Sequence, residues 1–226
     1  DEIPVKVALA FPDVYEVAMS HLGLKIIYSV LNAREDALAE RVYAPWVDME
    51  AMMREKHIPL FSLENKCPVK DFDVLGFTMP YEMCYTNILN MIDMAGIPVW
   101  AKDRTGEDPL VVAGGPCVYN AEPVADFFDV FFIGESEEAI GEMVDIVKAW
   151  KAEGKPGGRK EAIRRLAQTD GCYAPSLYEA SYYENGVFRS IRPIADAAQF
   201  PVKKRVIRDV DHVHIDDKPI LPHIEI

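Results

Sequence analysis

Short apolar runs alternate along this chain with segments whose apolar residues recur at helical spacing. Residues 5–11 (VKVALAF) are apolar except for Lys6 and run into Pro12-Asp13. So short a run, bounded by turn residues, predicts a strand buried on both faces. Met19, Leu22, Leu24, Ile26, Ile27, Val30 and Leu31 follow at helical spacing. They predict one helix up to Asn32, with Ser20 or a nearby polar residue as its cap. Residues 38–44 (LAERVYA) alternate as a half-buried strand should, and Pro45 stops them. Asp48 stands before MEAMMREK as the expected N-cap of a short helix. The apolar run 58–63 is expected to pack beside the sheet. A third strand is predicted at 73–78 (DVLGFT), closed by Pro80, then a helix from about Glu82 to Ala95 with Gly96 as its C-cap. The fourth strand, 110–113 (LVVA), ends in Gly114-Gly115-Pro116. The fifth, 129–133 (DVFFI), ends in Gly134-Glu135-Ser136, with Ser136 as a possible cap of the long amphipathic helix EEAIGEMVDIVKAW.

Strands alternating with helices predict an α/β fold. The expected form is a flavodoxin-like five-stranded parallel sheet of order 2-1-3-4-5 over residues 1–152, with helices on both faces. A smaller α+β extension is expected over 153–226. It would comprise the linker Lys155-Pro156-Gly157-Gly158, a basic-sided helix from Arg159 to Gln168, a hairpin and an extended tail over 197–226. Asn185-Gly186 predicts a two-residue hairpin turn with positive φ at both positions. In such sheets ligands bind beyond the carboxyl ends of the strands. The loops FPD, TMP, GGP and GES therefore converge on one edge. They make Pro12, Asp13, Tyr15, His21, Thr78, Met79, Pro80, Gly114, Gly115, Pro116, Gly134 and Glu135 the candidate binding residues. Two adjacent glycines let a planar group approach the backbone, or simply make a tight turn. His21 could coordinate a metal, or bond locally at a helix start.

Charge and composition narrow the classes. The net charge of −13 repels phosphate backbones, so broad nucleic-acid binding is not expected. No apolar run approaches the ~18 residues that span a membrane. The opening DEIPVKVALAF has no basic leader region, so a cytoplasmic protein with reduced thiols is expected. Cys67, Cys84, Cys117 and Cys172 are too far apart for a CxxC or zinc knuckle. No GxGxxG follows the first strand, and no GxxxxGK[ST] occurs. Thr78 and Glu135 stand where a response regulator would need Asp and Lys. His212 and His214 share one side of a predicted strand, but a third metal ligand is not spaced to join them.

Taken together, VVAGGP (111–116), Glu122-Pro123, Asp129 and the entry into Gly134-Glu135-Ser136-Glu137 resemble the N-terminal cobalamin-binding domain of radical S-adenosylmethionine proteins. FPDVYEVAMSHLGLKIIYSVLN (11–32) and GCYAPSLYE (171–179) resemble an uncharacterised subgroup of them. The resemblance implies a Rossmann-type domain that binds cobalamin, or a degenerate one that only docks on and shapes its own downstream radical core. It implies that this core, opening with CxxxCxxC, holds the iron–sulfur cluster and S-adenosylmethionine, and that LPHIEI (221–226) leads into it. The cobalamin motif DxHxxG supplies an axial histidine. Here the segment reads Ser20-His21-Leu22-Gly23, without the Asp and with Gly one place early, so a histidine-off mode is left open.

Overall fold

The computed structural model of the chain describes residues 3–207. Five parallel strands form the sheet as expected: β1 (Val5–Phe11), β2 (Ala37–Tyr43), β3 (Val74–Thr78), β4 (Leu110–Gly114) and β5 (Val130–Phe132). Their order is 2-1-3-4-5, with Val5 opposite Ala37, Val7 opposite Val74, Val74 opposite Leu110 and Val112 opposite Val130.

Alternation along the strands feeds two cores. Val5, Val7, Leu9 and Phe11 of β1 face one side, Ala8 and Ala10 the other. The first side is covered by α2 (Leu22–Asn32) and α5 (Glu137–Ala152), the second by α3 (Val47–Glu55) and α4 (Tyr85–Met94). Helix α5 buries Ala139, Ile140, Met143, Val144, Val147 and Trp150, each about one turn or less from the next. The chain thus leaves β1 towards one face and β3 towards the other. A crevice opens between their carboxyl ends, where strand order reverses.

The strand count differs from five. Helix α6 (Gly158–Leu166) buries Ala162, Ile163 and Leu166 in the core shared with α2 and α5. A sixth strand, β6 (Cys172–Tyr173), then pairs antiparallel with β5, Tyr173 opposite Phe131. A separate two-stranded sheet, β7 (Tyr178–Tyr182) and β8 (Phe188–Pro193), follows.

Local chemistry corrects four further expectations. The first helix is two: α1 (Tyr15–Ala18) stops before α2, and His21 rather than Ser20 caps α2. Asp48 lies in the first turn of α3, whose N-cap position is Trp46. Ser136 stands at the N-cap of α5 without making a side-chain capping bond. In the hairpin only Gly186 has positive φ (81°). The Gly186 N–H donates to Tyr183 O at 2.9 Å, and the Asn185 side chain accepts from Val187 N at 3.1 Å. This is a type I turn ending in a left-handed glycine, the three-residue hairpin solution. His212, His214, LPHIEI and the other tail positions after Ile207 lie outside the described residues.

Among the described residues no helix is long and apolar enough to cross a membrane, and no group of three or more His, Cys, Asp and Glu could hold a metal ion. All four cysteines are free thiols.

Candidate functional site

The crevice holds a cavity of about 230 Å³ between the sheet, α2 and the start of α5. Its walls are apolar: Leu9 of β1, Leu24 and Ile27 of α2, Val112 of β4, Phe132 of β5 and Ile140 of α5. Its floor is Gly76, in the middle of β3. A Cβ on Gly76 would meet Val112 Cγ2 at 3.6 Å and Leu9 Cδ2 at 3.8 Å, which are ordinary contacts. Nothing in the backbone therefore demands glycine there, and a glycine inside a strand weakens it. The missing side chain shows as cavity space.

Polar groups gather at the mouth: His21, Thr78, Ser136, Glu135 and Glu137. His21 Nδ1 accepts from Leu24 N at 3.1 Å, capping α2, and its ring packs against Phe11 with centroids 4.9 Å apart. An accepting Nδ1 puts the ring proton on Nε2 in the neutral imidazole. Burial lowers the His21 pKa from its ordinary 6.5, which favours that neutral form. Its neighbour Gly23 is bare, and a Cβ there would stand 3.1 Å from His21 Cε1.

Of the twelve candidate residues, His21, Thr78, Gly114, Gly115, Gly134 and Glu135 line this cavity. The two glycines of GGP differ. Gly114 faces Ser136 Oγ, which a Cβ would meet at 3.6 Å. Gly115, at φ 106°, faces the backbone of Met79, where a Cβ would stand 3.0 Å from the carbonyl oxygen. Met79 N donates to Gly114 O at 2.8 Å, and Cys117 N to Met79 O at 3.1 Å, so the two loops interlock. Met79 itself is fully buried in the core beneath α4. Pro12 and Asp13 tie loops together: Pro12 O accepts from Asn87 Nδ2 at 3.0 Å, and Asp13 Oδ2 from the Tyr81 hydroxyl at 3.2 Å. Pro80 and Pro116 lie outside the cavity lining. Tyr15 lines a second cavity of about 330 Å³ with Tyr43, Trp46 and Phe61, at the β2 edge. Sequence reasoning missed Gly76, Ser136 and the apolar walls. A glycine interrupting the run Val74–Thr78 was the available signal.

The sequence profile described as "Radical SAM proteins, N-terminal" matches residues 23–175, about two thirds of the chain. The chain belongs to this family. An uncharacterized protein of Methanocaldococcus jannaschii is 30% identical over 134 residues. The alignment takes in 58% of this chain and 24% of that protein, so the chain spans about a quarter of the relative it matches. The structure of the radical S-adenosylmethionine methyltransferase TsrM from Kitasatospora setae, with tryptophan and a SAM analogue bound, aligns over 80% of this chain and 29% of its own. The identity there is 14% and the TM-score 0.44.

In this radical SAM N-terminal chain the cavity mouth is also where the polypeptide returns after β8. Arg205 N donates to Ile133 O at 2.9 Å, and Glu135 N to Arg205 O at 3.1 Å. The Glu135 carboxylate accepts from Ile207 N. Gly134, at φ 103°, admits this segment, because a Cβ there would collide with the Arg205 carbonyl. Glu135 thus serves the returning chain as well as the mouth.

Proposed function

We propose that this domain holds a corrinoid across the carboxyl ends of β1, β3, β4 and β5 and presents it to a radical core carried by the rest of a longer protein. The observation that carries the reading is the glycine-floored cavity at the point where strand order reverses. Gly76 and Gly114 leave open a cradle that two methyl groups would narrow, with no backbone reason for either to lack a side chain. At about 230 Å³ the cavity is smaller than the ~300–1,000 Å³ usual for a whole drug-sized ligand. It suits the base of a corrinoid's nucleotide tail, with the macrocycle lying outside over the loops. Thr78, Ser136 and the Nε2–H of His21 stand at the mouth to meet the tail's polar atoms. A bound corrinoid supplies a cobalt centre able to carry a methyl group. The iron–sulfur cluster and S-adenosylmethionine belong, in this reading, to the core.

A second reading rests on the apolar rim. Leu22 is 57% exposed, Met83 87% and Tyr119 61%, on the segments that follow β1, β3 and β4. Such a rim suits docking on the core and shaping access to it, with no corrinoid bound.

Titration with hydroxocobalamin separates the two. The corrinoid reading expects a spectral change and co-elution of pigment with protein, at micromolar affinity. Pigment that elutes free of protein even at high micromolar concentration would leave only the docking role.

A further inference from the structure

We infer that the second cavity, at the β2 edge, is a binding site for a small ligand carrying a methylated ammonium group. No residue lines both this cavity and the crevice, so the inference stands apart from the corrinoid reading.

Four segments bring their aromatic rings to this space. At the end of β2, Ala44 N donates to Asp13 O at 3.0 Å, which ties the strand's exit to the loop after β1. Tyr15 of α1 thereby meets Tyr43 of β2, with ring centroids 5.3 Å apart and planes at 87°. Trp46 adds a third ring from the start of α3, and Phe61 a fourth from the segment after it. The cavity they line, about 330 Å³, falls within the ~300–1,000 Å³ usual for small-molecule sites. Trp46 makes no side-chain capping bond to α3 and is 64% exposed. Neither helix capping nor core packing accounts for so large a ring at this place.

Charge then selects among ligands. The charged residues of the lining are Glu16, Asp48 and Lys66. Lys66 is committed: its Nζ donates to Leu63 O at 2.6 Å and stands 5.7 Å from the Phe61 ring centroid. Asp48 Oδ1 accepts from Met49 N at 2.7 Å. The Glu16 carboxylate has no hydrogen-bond or ion-pair partner among the described residues. Two carboxylates against one ammonium, in a chain of net charge −13, repel an anion and draw a cation. Ring faces are negative and attract cations as well. A primary ammonium is compact and strongly hydrated. A methylated one spreads its charge over methyl groups, leaves water more readily, and suits apolar walls such as Met49, Met53 and Leu60.

The test is isothermal titration with choline and with dimethylbutanol, which has the same shape with carbon in place of nitrogen. Choline is expected to bind saturably, and the uncharged alcohol at least about tenfold more weakly. Trp46→Leu should weaken choline about tenfold without changing the melting temperature. Glu16→Gln should weaken choline several-fold and leave the alcohol unchanged. Equal affinity for the two probes would overturn the inference, since the cavity would then take apolar bodies irrespective of charge. So would choline binding that survives both substitutions at the wild-type affinity, or no saturable binding of choline.

Discussion

His21 does two jobs with its two ring nitrogens, and the first constrains the second. Nδ1 holds the N–H of Leu24, one of the donors a helix start leaves unpaired. Ligation of a cobalt through Nε2 would move the ring proton to Nδ1 and strip α2 of this acceptor. The local geometry therefore favours Nε2–H as a hydrogen-bond donor over a metal ligand. Burial of the same ring makes stability depend on pH. The folded pKa lies below the ordinary 6.5 because burial penalises the imidazolium. The unfolded chain then binds more protons in the window from 6.5 down to the folded pKa. Stability from this site is complete above 6.5 and is lost as pH falls through that window. His21→Ala should cost about 1 kcal/mol above pH 7 by removing the cap. His21→Asn keeps an acceptor without a titrating proton, so it should match wild type there and lose less on acidification. Urea unfolding on both sides of the window checks this, and parallel losses for wild type and His21→Asn would refute the assignment.

At the scale of elements, one buried carboxylate fastens α6 to the sheet. Asp129, just before β5, accepts from Arg104 Nη1 at 3.2 Å and from Arg159 Nε at 3.1 Å, and also meets Arg159 Nη2. The side chains of Arg104 and Asp129 are 0% and 2% exposed. Both guanidiniums also cap carbonyls: Arg104 those of Pro98, Val99 and Phe127, Arg159 those of Asp108 and Pro109. Removing the carboxylate strands two buried cations. Asp129→Ala should therefore cost about 3–5 kcal/mol, seen as a lower urea midpoint, whereas Glu179→Ala in the exposed Arg192 pair should cost under about 1 kcal/mol. Similar costs for both would show that Asp129 is not the fastener. This junction was not legible in the sequence, because its partners lie far apart along the chain. The five parallel strands were legible, four as short apolar runs of strands buried on both faces and the edge strand β2 as an apolar/polar alternation. Strand β6 was not: two residues, Cys172-Tyr173, carry no periodicity, and their place is set by pairing with Phe131 and Phe132. The site was half legible. Gly and Pro mark the strand ends, but only tertiary contacts show that Gly115 makes room for the Met79 backbone while Gly114, beside it in the cavity lining, has no such neighbour. Gly76 read only as one position of the strand 73–78.

At the scale of the molecule, the chain's path brings its last described residues back to the site. After β8 the polypeptide crosses to β5, and Arg205 joins Gly134 in a parallel bridge beyond the strand's end. Its guanidinium lies between Glu138 and Glu142 of α5, bonded at 2.9 Å to each, and the two carboxylates raise its pKa. Gly171, at φ 83°, makes room from the other side, since a Cβ there would stand 3.1 Å from Arg205 Cβ. Two glycines and two glutamates thus hold one segment against the cavity mouth. The segment thereby borders Gly134 and Glu135, two residues of the cavity lining. Gly134→Ala tests the arrangement, because its Cβ would collide with the Arg205 carbonyl and its φ of 103° suits only glycine. Hydrogen exchange reads the result locally. In wild type the amides of Arg205 and Glu135 are expected to be protected by their bonds to Ile133 O and Arg205 O. In Gly134→Ala both should exchange at least about tenfold faster, while amides of β1 and β3 keep their protection. Arg205→Ala, which spares the backbone bridge and removes only the ion pairs, should fall between the two. Rapid exchange at Arg205 and Glu135 already in wild type would mean that the segment is not fastened at the mouth.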